Sequence, residues 1–288
     1  MPDRRPPGAD LRTALRGVAA FVLDADGVLI LKGEEIPGSS AALERLDARG
    51  IPYRVVTNFS GAHRDTLASR FAEGGTPIPA DRFITAASAA AAYTLVEFPG
   101  RPLFVLAGRD ALREFDGQHL LVPEEAEAGP ADVAAVVIGD GGDDLSYRNL
   151  DAAFRLIRGG AAFLAMHRNP WWLTPRGPTL DAGAAVAGLE YATGRKATIL
   201  GKPSPVVFRL ALDGIRADLG RRIPAASVAM VGDDLDADVR AAQRVGLRGI
   251  LVLTGKVASH DVAKRVDGRK RPPDAIAASL AEVVAALD

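Results

Sequence analysis

Two carboxylates stand at the end of the first strongly apolar segment of the chain. The segment, residues 18–23, is followed by Asp24, Asp26 and Gly27. If the segment is a buried strand, residues two apart on an extended chain face the same side, so Asp24 and Asp26 converge. Ligands of open α/β sheets bind beyond the carboxyl ends of the strands, which predicts a ligand site here. The alternative is a solvated turn, which accounts for Gly27 but not for two acids at the end of a core strand.

A second acidic group follows another apolar segment, residues 227–231. Its carboxylates belong to Asp233, Asp234, Asp236 and Asp238. Carboxylates so close together repel one another unless a cation or a lysine lies nearby. Oxygen ligands alone favour Mg²⁺ over softer metals. The pattern predicts a Mg²⁺ site, and at least one of Asp234 and Asp236 is expected to be solvated or to cap the next helix.

Neutral and cationic groups follow two further apolar segments. Thr57 and Asn58 come after residues 53–56, and Lys202 comes after residues 198–200. A hydroxyl, an amide and the backbone N–H groups of a strand-to-helix turn suit phosphate oxygens. The alternatives are plain helix capping for the first pair and an ordinary exposed lysine for Lys202.

The four groups together predict phosphate chemistry. A phosphate dianion cannot approach several carboxylates without positive charge to offset them. A hard divalent cation, Lys202 and the donors of Thr57 and Asn58 supply that compensation. The combination is therefore far more specific than any one of its members.

The elements that position these groups alternate between strand and helix. Apolar segments at residues 18–23, 53–56, 198–200, 227–231 and 249–253 are each predicted to be buried parallel strands. Each is followed by a turn signal and an amphipathic stretch; the clearest helix start is Ser204 followed by Pro205. This alternation predicts an α/β fold with a doubly wound, Rossmann-like parallel sheet.

The middle of the chain is predicted to be a second α/β unit. Strands are expected at residues 103–107, 133–138 and 162–166, with a helix at 146–157. None of the acidic or phosphate-binding groups lies in this segment. We therefore predict a core formed by residues 1–83 and 196–288, with an inserted α/β cap at residues 84–195.

Composition excludes several classes of function. The chain has no cysteine, which excludes disulfides, thiolate catalysis and cysteine-bound metals, and its 4 histidines lack the spacing of a zinc site. A formal net charge of -1 gives no reason to expect nucleic acid or an anionic membrane as a partner. Residues 1–10 contain no apolar stretch typical of a secretion signal, so the expected location is the cytoplasm.

Recognition of the substrate is expected in a loop of the predicted cap, residues 167–177. The loop contains His167, Trp171 and Trp172, and both tryptophans of the protein lie in it. These side chains can stack on, or pair with, a leaving group. The alternative is that they pack within the cap or join two caps in a homodimer.

The order of motifs resembles the haloacid dehalogenase superfamily. The chain has Asp-x-Asp-Gly-Val at 24–28, Thr-Asn-x-Ser at 57–60, Gly-Lys-Pro-x-Pro at 201–205 and Gly-Asp-x-x-x-x-Asp at 232–238. Because a long segment is inserted between the second and third motifs, the chain looks like the branch with a large C2 cap, which includes the NagD-like phosphatases. Leu-Thr-Gly-Lys at 253–256 is similar to the phospholysine phosphohistidine inorganic pyrophosphate phosphatases and their relatives.

The resemblance implies a role for each matched residue. Asp24 would be the nucleophile, and Asp26 would act as acid and base while its backbone carbonyl binds Mg²⁺. Asp233 would complete the protein ligands of the metal together with the carboxylate of Asp24. Asp238 would orient water or Lys202, and Lys202 would offset the charge of the nucleophile and the phosphoryl group.

The resemblance also implies a reaction. We expect Mg²⁺-dependent hydrolysis of a phosphate monoester or phosphoramidate of a small molecule through an aspartyl-phosphate intermediate. One alternative narrows this to phosphohistidine, phospholysine or pyrophosphate hydrolysis. Another is a non-catalytic, phosphate-dependent binding protein.

Overall fold

The computed structural model describes residues 10–129, 132–174, 177–257 and 271–288. Its strands are β1 (Ala20–Asp24), β2 (Ile30–Leu31), β3 (Glu34–Glu35), β4 (Tyr53–Thr57), β5 (Phe83–Thr85), β6 (Leu103–Leu106), β7 (Ala135–Ile138), β8 (Ala162–Ala165), β9 (Trp171–Thr174), β10 (Gly177–Leu180), β11 (Thr198–Ile199), β12 (Val228–Gly232), β13 (Arg248–Val252) and β14 (Ala275–Ala277). Its helices are α1 (Leu11–Leu15), α2 (Ser39–Ala48), α3 (Arg64–Glu73), α4 (Ala86–Glu97), α5 (Arg109–Leu112), α6 (Pro123–Glu127), α7 (Tyr147–Arg158), α8 (Ala182–Thr193), α9 (Pro205–Leu219), α10 (Ala241–Arg244) and α11 (Leu280–Ala285). No helix in these ranges is long and apolar enough to cross a membrane.

The chain divides into two compact units. Of the residues that the structure describes, the first unit contains 10–57, 68–84, 207–257 and 271–288. The second contains Asn58–Leu67 and Thr85–Val206. Each unit is therefore assembled from separate stretches of the chain, and Asn58 and Lys202 belong to the second.

The first unit is built on a six-stranded sheet with the order β14-β13-β12-β1-β4-β5. The pairs β1–β12, β1–β4, β12–β13 and β13–β14 are all parallel. All residues of β1, β4 and β12 are buried, as expected of a parallel sheet that is covered on both faces. The predicted doubly wound α/β fold is confirmed.

The strand order reverses between β1 and β12. From β1 the chain proceeds to β4 and β5 on one side, whereas β13 and β14 extend the sheet beyond β12 on the other. In open α/β sheets such a switch point is where ligands bind, outside the carboxyl ends of the strands. β1 ends in Asp24, and β12 ends one residue before Asp233.

The second unit is built on a four-stranded parallel sheet with the order β11-β8-β7-β6, accompanied by the antiparallel hairpin β9–β10. Alternate side chains of β6 pack on opposite faces. Leu103 and Val105 pack in a cluster with the alanines of α4, while Phe104 and Leu106 pack with residues of α7 and α8. The predicted helix at 146–157 is confirmed as α7, with Ser146 capping its first turn by accepting from the N–H of Asn149.

One predicted core strand belongs elsewhere. Residues 198–200 were expected beside the core strands, but Thr198–Ile199 pairs with Leu164 and Ala165 of β8 in the second sheet. Only a short connection separates the end of α8 from β11. The segment therefore completes a local strand–helix–strand unit with β8 instead of reaching the larger sheet.

Candidate active site

Three buried carboxylates meet at the switch point of the first sheet. Ligand oxygens of Asp24, Asp233 and Asp238 all lie within 4.8 Å of one another. Their exposed fractions are 5%, 2% and 0%. We call these three residues the acid cluster. Buried like charges at this separation raise one another's free energy strongly, so the arrangement calls for a cation.

The register of the two central strands creates this proximity. Leu23 of β1 pairs with Val231 of β12, which places Asp24 next to Gly232. A Cβ built on Gly232 would lie 2.3 Å from the Cβ of Asp238. The side chain of Asp238 therefore packs directly against the backbone at the end of β12, and any larger residue at Gly232 would displace it.

A π-helical turn, Leu235–Arg240, brings Asp238 back to the strand end. Asp234 caps this turn, because its Oδ1 accepts hydrogen bonds of 2.9 Å from the N–H groups of Asp236 and Ala237. The N–H of Asp234 donates in turn to Oδ2 of Asp238 at 3.2 Å. The expectation that Asp234 or Asp236 caps the next helix is met by Asp234, while Asp236 is exposed.

Two glycines make room for Asp233. A Cβ on Gly27 would lie 2.4 Å from Oδ2 of Asp233, and one on Gly255 would lie 2.0 Å from the same atom. The N–H of Lys256 donates to that oxygen at 2.7 Å, and the hydroxyl of Thr254 donates to the carbonyl of Gly27. Sequence reasoning did not assign Gly255 or Lys256 to the site; the available signal was the Leu-Thr-Gly-Lys motif just after an apolar strand.

Lys256 adds positive charge beside the acid cluster. Its Nζ lies 3.1 Å from Oδ2 of Asp234. Burial alone raises the pKa of Asp234, but the N–H of Ala237 and the charge of Lys256 bring it below its usual value. Burial lowers the pKa of Lys256, yet attraction to Asp234 and Asp233 leaves it raised overall. Lysine and carboxylate are therefore both charged at neutral pH.

The donor set fits a hard divalent cation. All three groups of the acid cluster offer carboxylate oxygen, the ligand type that Mg²⁺ prefers. The ammonium group of Lys256 pairs with Asp234, which is not one of these three residues. The chemistry of the donors thus agrees with the metal that the sequence predicts.

Thr57 lies at the same sheet edge as Asp24. β4 pairs with β1 so that Val56 is opposite Asp24, and Thr57 is the next residue along β4. Thr57 is buried, with 4% of its surface exposed. The prediction that polar groups of both strands converge at one edge is thus realised for Asp24 and Thr57.

Asn58 and Lys202 are joined within the second unit. The side-chain N–H of Asn58 donates to the carbonyl of Lys202 at 3.0 Å, and Lys202 is 6% exposed. A Cβ on Gly201 would lie 2.6 Å from Oδ1 of Asn58 and 2.4 Å from the carbonyl of Met166. The structure thus brings together these two predicted residues, and the glycine before Lys202 is required for their close approach.

Comparison with known proteins identifies the family. A haloacid dehalogenase-like hydrolase family profile matches residues 21–120, and a HAD-hydrolase-like profile matches residues 199–283. The haloacid dehalogenase-like hydrolase domain-containing protein 2 of Bos taurus is 36% identical over 250 residues, covering 86% of this chain and 89% of its own length. The chain belongs to the haloacid dehalogenase-like hydrolases. The human phospholysine phosphohistidine inorganic pyrophosphate phosphatase is also similar, at 33% identity over 254 residues, 86% of this chain and 87% of the relative.

Solved structures of this hydrolase family share the fold. A 4-nitrophenylphosphatase from Thermotoga maritima superimposes with a TM-score of 0.82 at 30% identity, covering 96% of this chain and 99% of its own. NagD from Escherichia coli K-12 gives 0.79 at 28% identity, with coverages of 92% and 98%. A glycerol phosphate phosphatase from Mycobacterium tuberculosis in complex with magnesium gives 0.79 at 26%, with coverages of 94% and 77%. The NagD-like resemblance drawn from the motifs is confirmed.

Asp26 and Asp24 of the hydrolase differ in backbone position and in exposure. β1 ends at Asp24, and the chain then turns, because the carbonyl of Ala25 accepts from the N–H groups of Leu29 and Ile30 at 2.9 and 3.1 Å. Asp26 is exposed, whereas Asp24 is buried. Strand β1 thus ends at Asp24, and Asp26 lies in the turn that follows it.

His167 of the hydrolase is buried at 2% exposure, away from solvent. Its Nε2 lies 2.8 Å from the hydroxyl oxygen of Ser60, and its Nδ1 accepts from the N–H of Asn169 at 3.3 Å. Nδ1 is therefore unprotonated, and Nε2–H donates to Ser60. Burial lowers the pKa of His167, although the charge of Asp181 opposes this. His167 thus holds the loop at Ser60 and is not displayed together with the tryptophans.

Trp171 and Trp172 lie on the hairpin β9–β10 with exposed fractions of 57% and 44%. Trp171 pairs with Leu180, which is 76% exposed, and Trp172 pairs with Thr179. Pro175 and Arg176, which the predicted recognition loop also includes, lie outside the described residues. The hairpin therefore presents aromatic surface available for contact with a ligand or another protein.

Proposed function

We propose that the protein is a Mg²⁺-dependent phosphatase that hydrolyses a phosphate monoester or phosphoramidate of a small molecule, with Asp24 as the nucleophile. The observation that carries the proposal is the buried acid cluster at the switch point of the sheet. Support also comes from relatives named as phosphatases and from the magnesium complex of the Mycobacterium tuberculosis phosphatase.

Asp24 and Asp233 would hold the metal together with the backbone carbonyl of Asp26. When bound, Mg²⁺ supplies positive charge that offsets the carboxylates and polarises the phosphoryl oxygens. Asp238 is buried beside both carboxylates and accepts from the N–H of Asp234, so we assign it to orienting the other ligands.

The chain's own residues carry out two in-line displacements. The carboxylate of Asp24 attacks phosphorus, forms an aspartyl-phosphate and expels the leaving group, which takes a proton from Asp26. Asp26 then removes a proton from water as the water oxygen attacks phosphorus, releasing phosphate and restoring the carboxylate of Asp24. The exposure of Asp26 suits this exchange of protons with solvent and substrate.

Binding of the phosphoryl group is assigned to Thr57, Asn58 and Lys202. The lysine offsets negative charge that develops on the transferring group, and the other two donate hydrogen bonds. Recognition of the leaving group is assigned to the exposed aromatic surface of Trp171 and Trp172, with a homodimer through this hairpin as the alternative use. We expect the reaction to take place in the cytoplasm.

A narrower substrate class is a second candidate. The 33% identity with the human phospholysine phosphohistidine inorganic pyrophosphate phosphatase favours testing P–N bonds and pyrophosphate. A panel of sugar phosphates, nucleotides, pyridoxal phosphate, pyrophosphate and phosphoramidates separates the candidates by kcat/KM. Tight binding of one phosphorylated compound without turnover of any would instead favour a non-catalytic binding protein.

The decisive experiment uses 4-nitrophenyl phosphate. We expect hydrolysis that requires Mg²⁺, stops with EDTA and is abolished by Asp24→Asn. The matched control is Asp236→Asn, which removes an exposed carboxylate from the same acidic sequence and should retain activity. Activity that survives Asp24→Asn, or that is indifferent to EDTA, contradicts the mechanism.

A further inference from the structure

The four strands of the second sheet end along one short stretch of the chain. The sheet has the order β11-β8-β7-β6 and its pairs are parallel, so the carboxyl ends lie at one edge. Open α/β sheets bind ligands at this edge. Residues 58–61 belong to the same unit, and we call them the edge segment. The edge segment contacts residues that follow all four strands, so the sheet holds part of its own chain at its ligand-binding edge.

The two outer strands contact the ends of the edge segment. After β11, the carbonyl of Lys202 accepts from the side-chain N–H of Asn58 at 3.0 Å. After β6, a Cβ built on Gly108 would lie 3.2 Å from the carbonyl oxygen of Gly61. The edge segment therefore runs from β11 towards β6, and its first residue is joined directly to the lysine assigned to the phosphoryl group.

Ser60 joins the edge segment to the two inner strands. Its hydroxyl oxygen accepts from Nε2–H of His167, after β8, at 2.8 Å and from the N–H of Asp140, after β7, at 3.1 Å. Ser60 and His167 are each 2% exposed. Breaking a buried hydrogen bond leaves its donor or acceptor without compensation from water, which is costly. The position of the edge segment is therefore tightly constrained at Ser60.

The ring of His167 is held in one orientation. Its Nδ1 accepts from the N–H of Asn169 at 3.3 Å, so Nε2 carries the proton that is donated to Ser60. Nε2 also lies 3.5 Å from Oδ1 of Asp181, and Asp140 is the other carboxylate that acts on the ring. His167 is thus a fixed donor aimed at the edge segment.

The end of β8 also holds the loop that carries Lys202. The carbonyl of Met166, the residue before His167, accepts from the N–H of Gly201 at 2.7 Å. One strand end is therefore bonded both to the edge segment, which contains Asn58, and to the loop that contains Lys202. No step of the proposed reaction uses Met166, His167 or Ser60.

We propose that His167 is a positioning residue for Asn58 and Lys202. Its hydrogen bond to Ser60 fixes the edge segment, while the backbone beside it fixes the loop at Gly201. His167 does not touch the substrate in this role. The inference rests on the proposed function, because the two residues that it positions are those assigned to the phosphoryl group. Loss of the hydrogen bond should weaken phosphate binding and leave the acid cluster's affinity for Mg²⁺ unchanged.

Titration calorimetry of the Mg²⁺-loaded full chain with inorganic phosphate tests the role. We expect Ser60→Ala and His167→Leu each to weaken phosphate binding by about tenfold. KM for 4-nitrophenyl phosphate should rise by a similar factor while kcat is retained, and Mg²⁺ should bind as tightly as to the wild type. Thr94→Val is the matched control. It removes a buried hydroxyl that donates to Oε1 of Gln118 at 2.8 Å in the same unit, and it should bind phosphate as the wild type does.

A conservative substitution separates the hydrogen bond from the packing of the ring. His167→Gln and His167→Leu both remove Nδ1, the acceptor for Asn169, but only glutamine can still donate to Ser60. We therefore expect His167→Gln to retain most of the phosphate affinity. The double variant Ser60→Ala/His167→Leu should bind about as weakly as either single variant, because both substitutions remove the same hydrogen bond.

Three results overturn the positioning role. In the first, Ser60→Ala equals Thr94→Val in phosphate affinity and KM. In the second, His167→Gln binds phosphate as weakly as His167→Leu. In the third, Mg²⁺ affinity falls together with phosphate affinity, which indicates a general loss of structure. The proposed function fails separately: if the wild type binds phosphate but hydrolyses no compound of the substrate panel, the binding data still support the positioning role.

Discussion

The acid cluster of the first unit and the tryptophan hairpin of the second unit are held in opposite ways. Each carboxylate of Asp24, Asp233 and Asp238 is at most 5% exposed. Trp171 and Trp172 are 57% and 44% exposed on a two-stranded hairpin. Burial fixes the atoms that would carry the reaction, whereas about half of each tryptophan assigned to recognition is exposed.

We expect the reaction and the choice of substrate to depend on these two different regions. A change within the acid cluster alters buried, mutually packed groups and should be felt by every substrate. A change on the hairpin should alter the preference among substrates and leave the fold intact. Substrate preference can therefore change without disturbing the residues that react.

The largest effect is expected from Gly27→Ala. The new Cβ would lie 2.4 Å from Oδ2 of Asp233, so the carboxylate must move, and displacement of about 1 Å in an active site can cost ~10²-fold in rate. Gly33→Ala is the matched control. The φ of Gly33 is +85°, close to the +80° of Gly27, but a Cβ built on Gly33 would have no atom within 4 Å.

Both glycine variants should lose about 1–2 kcal/mol of stability from backbone strain, measured by urea denaturation. Only Gly27→Ala should also lose about a hundredfold or more in kcat/KM. Equal activities of the two variants at a temperature where both are folded would show that the position of Asp233 is not critical.

Asp238→Asn should weaken the binding of Mg²⁺ while the fold is preserved. Asparagine can still accept from the N–H of Asp234, so the π-helical turn is preserved, but one of three buried negative charges is lost. We expect about 10–100-fold weaker Mg²⁺ affinity by calorimetry. In EDTA, where no metal offsets the repulsion among the carboxylates, the variant should melt at a higher temperature than the wild type.

The exposed Asp236→Asn provides the comparison for that result. It should leave Mg²⁺ affinity as in the wild type, because Asp236 lies outside the acid cluster. A lower melting temperature of Asp238→Asn in EDTA would mean that repulsion within the cluster is already relieved by other groups of the protein.

The sequence predicted the first region better than the second. The carboxyl ends of parallel strands lie at one edge of a sheet, so acids that follow apolar strands are expected to meet there. This rule alone correctly predicted that Asp24 and Asp233 lie close together. It could not reveal that Gly27 and Gly255 clear space for Asp233, because that contact joins three distant parts of the chain. The placement of Thr198–Ile199 failed for a similar reason, since an apolar segment does not tell which of two sheets it joins.

The recognition loop shows the limit of reasoning from residue type. His167, Trp171 and Trp172 are close in sequence, yet His167 is buried against Ser60 while the tryptophans are exposed. Residue type alone cannot distinguish these environments. His167 follows strand β8 and Trp171 begins the hairpin only four residues later, yet their side chains lie in different surroundings. The substrate-binding role of all three residues stays a prediction.

Trp171→Ala and Trp172→Ala test whether the exposed hairpin selects substrates. A partly exposed aromatic contact is worth about 0.5–1.5 kcal/mol, so KM for aryl phosphates should rise by a factor of about 2 to 13 while kcat is retained. Tyr191→Ala removes an aromatic residue that is 93% exposed on α8 and should change neither constant. Light scattering on the same variants tests the alternative: a loss of dimer with unchanged KM assigns the tryptophans to an interface.

The smallest expected effect is that of His167 on the pH dependence of stability. His167 lies between the end of β8 and the exposed hairpin β9–β10. Burial lowers the pKa of His167 below the usual 6.5, so the folded protein takes up a proton less readily than the unfolded chain. Above pH 6.5 both states are neutral there and the contribution to stability is complete. As the pH falls, the unfolded chain is protonated first, and the free energy of unfolding decreases until the folded-state pKa is passed. Burial raises the pKa of Asp181, so this residue contributes to the pH dependence of stability with the opposite sign.

Urea denaturation of the wild type and of His167→Gln between about pH 7.5 and 5 tests this contribution. The variant should lose less stability than the wild type as the pH falls. The exposed His119→Gln should follow the wild type, and parallel curves for all three proteins would contradict a buried, neutral His167.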